Sequence, residues 1–112
     1  MKILIADDCQ DVLDTLSFIL SGMGHEIIAQ KDGVAALSAY LKEGEFDFVL
    51  SDYQMPRKNG VLLLMEIREH NPSQRMALQT ADPPRMPKEI SDVPVLHKPW
   101  SLSDLLAILE KK

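Results

Sequence analysis

Cysteine is almost absent from this chain: Cys9 is the only one in 112 residues. No intrachain disulfide can form, so a reducing, cytoplasmic setting is expected, and Cys9 reads as a small residue opening a helix. Basic charge is scarce as well. Twelve Lys and Arg against seventeen Asp and Glu give a formal net charge of −5. Nucleic-acid surfaces carry a clustered basic footprint, which this sequence lacks, so direct nucleic-acid binding is not expected. Long apolar runs are missing too. A single lysine and the short run Ile3-Leu4-Ile5-Ala6 precede Asp7, far less than a signal-peptide core or a membrane span requires. No internal repeat or low-complexity tract is present.

The remaining composition is that of one soluble globular domain spanning residues 1–112, with 46% hydrophobic and 26% charged residues. The pattern alternates strands and helices. Val12, Leu13, Leu16, Ile19, Leu20 and Met23 recur at helical spacing, with Gly22 and Gly24 as stop signals before a strand near Glu26–Ala29. A second helix carries Val34, Leu37, Tyr40 and Leu41 between the Asp32-Gly33 turn and Gly44. Phe46-Asp47-Phe48-Val49-Leu50 reads as a third strand. A third helix runs from Gly60 to about His70, and Met76–Gln79 is a fourth strand. Val93–His97 is a fifth, which tolerates Pro94 best at a sheet edge. The last helix opens on the capping-box pair Ser101 and Asp104 and is expected to bury Leu102, Leu105, Leu106 and Leu109. Strands apolar on both faces, alternating with helices, indicate a doubly wound α/β fold with a parallel sheet.

Three acids stand at the ends of these apolar runs: Asp7 and Asp8 after the first, Asp52 after the third. In open α/β sheets ligands bind outside the carboxyl ends of the strands. Carboxylates gathered there repel one another, and a hard divalent cation such as Mg²⁺ relieves that repulsion while leaving room for a phosphate. The competing expectation is that each acid caps the helix that follows it. Capping, however, does not call for two adjacent acids.

The segment Asp52-Tyr53-Gln54-Met55-Pro56-Arg57-Lys58-Asn59-Gly60 resembles the phosphoacceptor loop of response-regulator receiver domains, the CheY-like superfamily of two-component signalling. The resemblance covers essentially the whole chain: the acid pair after the first strand, Gly33 with Ala36-Leu37, Thr80-Ala81 after the fourth strand, and Lys98-Pro99 after the fifth. It implies a five-stranded sheet in the flavodoxin-like order 2-1-3-4-5. It also implies that Asp52 is the nucleophile that becomes an aspartyl phosphate. Asp8 would then bind Mg²⁺ directly and Asp7 through water, with Asp52 and the backbone carbonyl of Gln54 completing the metal site. Lys98 would supply positive charge, and Thr80 would hydrogen-bond the phosphoryl group and draw its loop inward. Such a domain is no conventional enzyme. It catalyses its own phosphorylation from a phosphodonor and its own dephosphorylation, between a sensor histidine kinase or phosphotransfer protein and a downstream partner or effector domain.

Three departures from the family pattern bear on the switch. Pro83, Pro84 and Pro87 forbid a regular helix where receivers place their fourth, leaving at most one turn near Pro87–Ser91. The segment from Ala81 to Asp92 is therefore expected to be irregular and comparatively mobile. Val95 stands where the family commonly has an aromatic residue. Trp100, the only tryptophan, follows Lys98-Pro99, where the family often has Phe, and is expected to pack first and to anchor a partner second. His25, His70 and His97 share no metal spacing, the methionines read as core or loop filler, and Arg57-Lys58 reads as solvated. The function expected is a phosphorylation-activated switch. The alternative is a receiver-like interaction module in which phosphorylation is secondary. A metal-dependent phosphohydrolase ranks below both, because no second Asp lies two residues after Asp52. Kinase, pathway, output and oligomeric state are not encoded legibly, nor is whether the domain stands alone or belongs to a longer regulator.

Overall fold

Each apolar run forms a short strand, and each amphipathic run covers the sheet that those strands build. The computed structural model describes residues 1–110; Lys111 and Lys112, the end of the expected domain, lie outside the described residues. The elements are β1 (Lys2–Ala6), α1 (Gln10–Gly22), β2 (Glu26–Gln30), α2 (Gly33–Glu43), β3 (Phe48–Asp52), α3 (Gly60–His70), β4 (Met76–Thr80), a 3₁₀ turn (Lys88–Ile90), β5 (Val95–His97) and α4 (Leu102–Glu110). The five strands are parallel and lie in the order β2-β1-β3-β4-β5, the doubly wound arrangement expected.

Alternation along the strands divides the core between the two faces. Ile3, Ile5, Phe48, Leu50 and Ala77 pack with Leu13, Leu16 and Leu20 of α1 and with Leu105 and Leu109 of α4. Leu4, Ala6, Val49 and Leu78 pack on the opposite face with Ala36 and Tyr40 of α2 and Leu63, Leu64 and Ile67 of α3. Residues two apart on a strand share a face. Asp7 and Asp52 therefore continue the face that Ile5 and Leu50 begin.

Local chemistry explains the helix ends. Asp32 caps α2 by accepting the Ala35 N–H at 2.7 Å, and Asn59 caps α3 by accepting the Leu62 N–H at 2.9 Å. Ser101 and Asp104 form the reciprocal capping box, with Ser101 N–H donating to Asp104 Oδ2 at 3.0 Å and Asp104 N–H to Ser101 Oγ at 3.2 Å. Gly24, at φ +93°, takes the left-handed turn that ends the first helical unit, whereas Gly22 is still helical.

The segment between β4 and β5 is irregular apart from the 3₁₀ turn, as the prolines dictate. It is nonetheless fastened. Ile90 is completely buried against α3, and Arg68 of α3 donates to both carboxylate oxygens of Asp92, at 2.8 and 3.2 Å, and to the Glu89 carbonyl at 3.1 Å.

Some expected boundaries and burials are corrected. The third strand begins at Phe48 and includes Asp52, because pairing with β4 continues to Asp52 opposite Gln79. The fifth begins only at Val95, after Pro94. Leu102 is exposed, since it opens α4 before that helix reaches the sheet. Met23 is exposed at the end of α1.

Candidate functional site: an acidic cleft at the carboxyl ends of the strands

The three acids meet. One carboxylate oxygen from each of Asp7, Asp8 and Asp52 lies within 4.8 Å of the other two. None of them caps a helix. The cap position of α1 is Cys9, which makes no side-chain cap bond, and that of α3 is Asn59. Asp7 is fully buried, Asp52 nearly so, and Asp8 is exposed. Asp7 Oδ1 accepts the Cys9 N–H at 2.9 Å, and Asp52 Oδ1 accepts the Tyr53 N–H at 3.0 Å. Burial pushes the Asp7 carboxyl above the usual carboxylate range; the Cys9 N–H opposes that, and the charge of Asp52 adds to it.

Among the described residues, one ammonium reaches this group. Lys98 Nζ lies 3.2 Å from Asp52 Oδ1 and 3.8 Å from Asp7 Oδ2. Its peptide to Pro99 is cis. Thr80, the last residue of β4, has its hydroxyl turned to its own loop, accepting the Asp82 N–H at 3.1 Å and donating to the Asp82 carbonyl at 3.2 Å. Asp8, Asp52, Gln54, Thr80, Ala81, Asp82 and Lys98 line a cleft of about 240 Å³. The expected residues are thus brought together, with Asp7 buried behind the wall rather than lining it.

Two glycines shape the loop that leaves Asp52. A Cβ on Gly60 would overlap the Asp52 carbonyl oxygen, and the Gly60 N–H donates to the Tyr53 carbonyl at 2.7 Å, so α3 starts directly against the strand end. A Cβ on Gly33 would overlap the Lys58 carbonyl oxygen, so the start of α2 backs the same loop. Arg57 takes φ +69° between them and faces Asp32 at 3.7 Å, while Lys58 pairs with Glu66.

The chemistry of the donor set suits a hard cation. Three carboxylates face a single ammonium, all the candidate ligands are oxygen, and among the described residues no histidine or cysteine joins such a cluster. Asp7, Asp8 and Asp52 are the side chains that fit Mg²⁺, with Gln54 on the cleft wall beside them.

Gln79 was not legible as a site residue. It is completely buried near the end of β4; its Nε2 donates to Asp7 Oδ2 at 2.8 Å, and its Oε1 accepts the Trp100 indole N–H at 2.9 Å. A lone amide closing the apolar run Met76-Ala77-Leu78 was the available signal.

The chain matches the model of the response regulator receiver domain over residues 3–110. It is 31% identical over 112 residues to the DNA-binding transcriptional regulator NtrC of a Bradyrhizobium species, covering 96% of this chain and 23% of that protein. The match spans from under a fifth to about half the length of the curated relatives. Among solved structures, the chemotaxis protein CheY4 of Vibrio cholerae superposes with a TM-score of 0.84 at 25% identity, covering 97% of this chain and 95% of that one. The response regulator TrrA of Thermotoga maritima, solved with Mg²⁺ and BeF, superposes with a TM-score of 0.84 at 26% identity, covering 95% and 93%. A shared sheet order, an acid cluster at the strand ends and a family match running nearly the full length lead to one assignment: the chain belongs to the response regulator receiver domains of two-component systems.

Proposed function

We propose that the chain is a phosphorylation-activated signalling switch in which Asp52 accepts a phosphoryl group from a histidine kinase or phosphotransfer protein and later loses it by hydrolysis. An Asp52 carboxylate oxygen forms the bond to phosphorus as the bond to the donor nitrogen breaks; that bond's electron pair stays on the nitrogen, and the proton carried on the ring's other nitrogen lets the imidazole depart neutral. Mg²⁺, when bound, would offset the negative charge that gathers between carboxylate and phosphate. Asp7 and Asp8 would hold it together with Asp52 and the Gln54 carbonyl. Lys98, already 3.2 Å from Asp52, would meet an incoming phosphoryl oxygen, and the Thr80 hydroxyl would leave Asp82 to do the same. The downstream listener is a protein partner or an effector domain, and the setting is cytoplasmic.

The observation that carries this reading is the placement of Asp52 and Lys98 on one small cleft with two further acids beside them. Intact-mass analysis tests it. With Mg²⁺ and a small phosphodonor, the protein is expected to gain one hydroxylamine-labile phosphoryl group, absent from Asp52→Asn; equal labelling of that variant overturns the assignment.

The reading as a constitutive interaction module draws on one feature, the 3₁₀ turn that stands in for a full helix between β4 and β5. A partner that binds equally well before and after phosphorylation would favour it.

A further inference from the structure

We propose that Gln79 and Trp100 are positioning residues for the acidic cleft, forming a two-bond relay that holds Asp7 from behind and carries a change in the cleft's charge to the groove between α1 and α4. The proposal deepens the phosphorylation reading and rests on it for what occupies the cleft.

A buried amide is unfavourable unless its donors and acceptor are used. Gln79 is completely buried on the α1 and α4 face, in register with Asp52 on one side and Leu96 on the other. Its orientation follows from its partners. The indole N–H only donates, so it must meet the amide oxygen, and this leaves the amide N–H for the Asp7 carboxylate. Asp7 is thereby gripped at both oxygens: Oδ1 by the Cys9 N–H at 2.9 Å, Oδ2 by Gln79 at 2.8 Å, with Lys98 3.8 Å from the latter. A carboxylate so held cannot swing to suit an incoming charge. Any adjustment must pass to its partners.

Those partners lead outward along one path. Trp100 sits two residues after Lys98, so the same short turn carries the ammonium that touches Asp52 and the indole that holds Gln79. Trp100 also lines an apolar surface groove with Val12, Leu16, Ile19 and Leu102. Gln79 and Thr80, adjacent on β4, face opposite sides of the sheet. The Thr80 hydroxyl reaches the loop that begins the irregular segment, whereas the Gln79 amide reaches Trp100, which packs against the core shared by α1 and α4. Filling the cleft draws on Lys98 and Asp7 together, and both are joined to Trp100.

The single tryptophan makes the relay measurable. In ¹⁵N-labelled protein the Trp100 indole resonance is expected to shift when Mg²⁺ is added and to shift again with beryllium fluoride. Gln79→Leu is expected to abolish both shifts and to weaken Mg²⁺ binding about tenfold, the low end for a residue that orients a ligand. Trp100→Phe keeps the packing but leaves the Gln79 oxygen without its donor, and should weaken Mg²⁺ binding in the same direction without loss of folding. A third arm needs no metal: Asp7→Asn alone should move the indole resonance through Gln79. An indole signal indifferent to Asp7→Asn, or Mg²⁺ affinity unchanged in both Gln79→Leu and Trp100→Phe, overturns the relay. A parent protein that binds no Mg²⁺ while its indole still responds to Asp7→Asn instead overturns the metal reading and leaves the relay standing.

Discussion

Lys98 and Asp52 are joined across the cleft at 3.2 Å, although Asp52 ends β3 and Lys98 follows β5, with β4 between the two strands in the sheet. The pair is held in a site where two more carboxylates lie close by, so the ammonium is outnumbered before any phosphoryl group arrives. Replacing it leaves that charge unanswered. Lys98→Met is expected to slow phosphoryl acceptance by on the order of 100-fold, as loss of one preorganised charge partner commonly does. Its fold should survive, because the side chain is partly exposed. Stopped-flow labelling with a small phosphodonor checks the rate, and a Lys98→Met protein labelled at the parental rate would remove Lys98 from the reaction.

Metal binding should stabilise the fold by mass action, by about 2.7 kcal/mol at a concentration one hundred times Kd. Asp8→Ala should raise the melting temperature of the metal-free protein by relieving repulsion, yet weaken Mg²⁺ binding more than Asp7→Ala does. The pH dependence has a definite sign. Burial holds the folded Asp7 carboxyl above its unfolded value, so in metal-free protein its contribution to stability is greatest when it is protonated and is lost as pH rises through the folded pKa. Mg²⁺ needs the ionised form, so its affinity should rise with pH over that window and then level off. Calorimetric titrations at several pH values read this directly; a flat profile contradicts it.

The glycines offer a contrast. At Gly60 an added Cβ meets the Asp52 backbone, which cannot retreat without moving the phosphoacceptor loop. Gly60→Ala should cost about 1–3 kcal/mol in urea unfolding and slow labelling of Asp52 as well. At Gly22 nothing lies within 4 Å of the added atom. Gly22→Ala should be stabilising by about 0.5 kcal/mol, with labelling untouched.

Between β4 and β5, amide exchange should divide the irregular segment rather than treat it uniformly. Ile90 and Val93 donate to the Pro87 and Ile90 carbonyls and have buried side chains, so they should exchange slowly; Arg85 and Met86 should exchange fast. Arg68→Gln should erase the difference. The Arg68 guanidinium holds the Asp92 carboxyl below the usual range, so this clasp stabilises above the ordinary carboxylate pKa and is lost as pH falls through the lowered one. Asp92 is exposed, so the effect on global stability should be small.

The acids of the cleft were legible because they follow from chain order, whereas Gln54, Thr80 and Lys98 were named only through the family resemblance. Apolar runs ending on Asp7-Asp8 and on Asp52 announce strand ends, and parallel strands bring like ends together. Pro83, Pro84 and Pro87 announced the missing helix in the same local way. Gln79 was different. Its role depends on which side of β4 it faces and on two partners 72 and 21 residues away, neither of which periodicity reveals. Leu102 misled for a related reason. Helical spacing identifies an apolar stripe, but where along the helix the sheet begins to cover it is a tertiary matter. The Arg68 clasp on Asp92 likewise needs the 3₁₀ turn to present its carbonyl, which sequence spacing alone does not locate.

The shortness of β5 has a consequence for the molecule among its own copies. A sheet edge is a row of unpaired amides and carbonyls, and a long flat one invites a strand from another chain. Here the edge strand on the β4 side is only three residues, Val95–His97, and Pro94, just ahead of it, lacks an amide hydrogen, as does Pro99 two residues after it. A foreign strand laid along this edge would find too few groups to hold it. On this side the sheet therefore stops growing where β5 ends, which leaves the five-residue β2, at the opposite edge, as the longer of the two open rows.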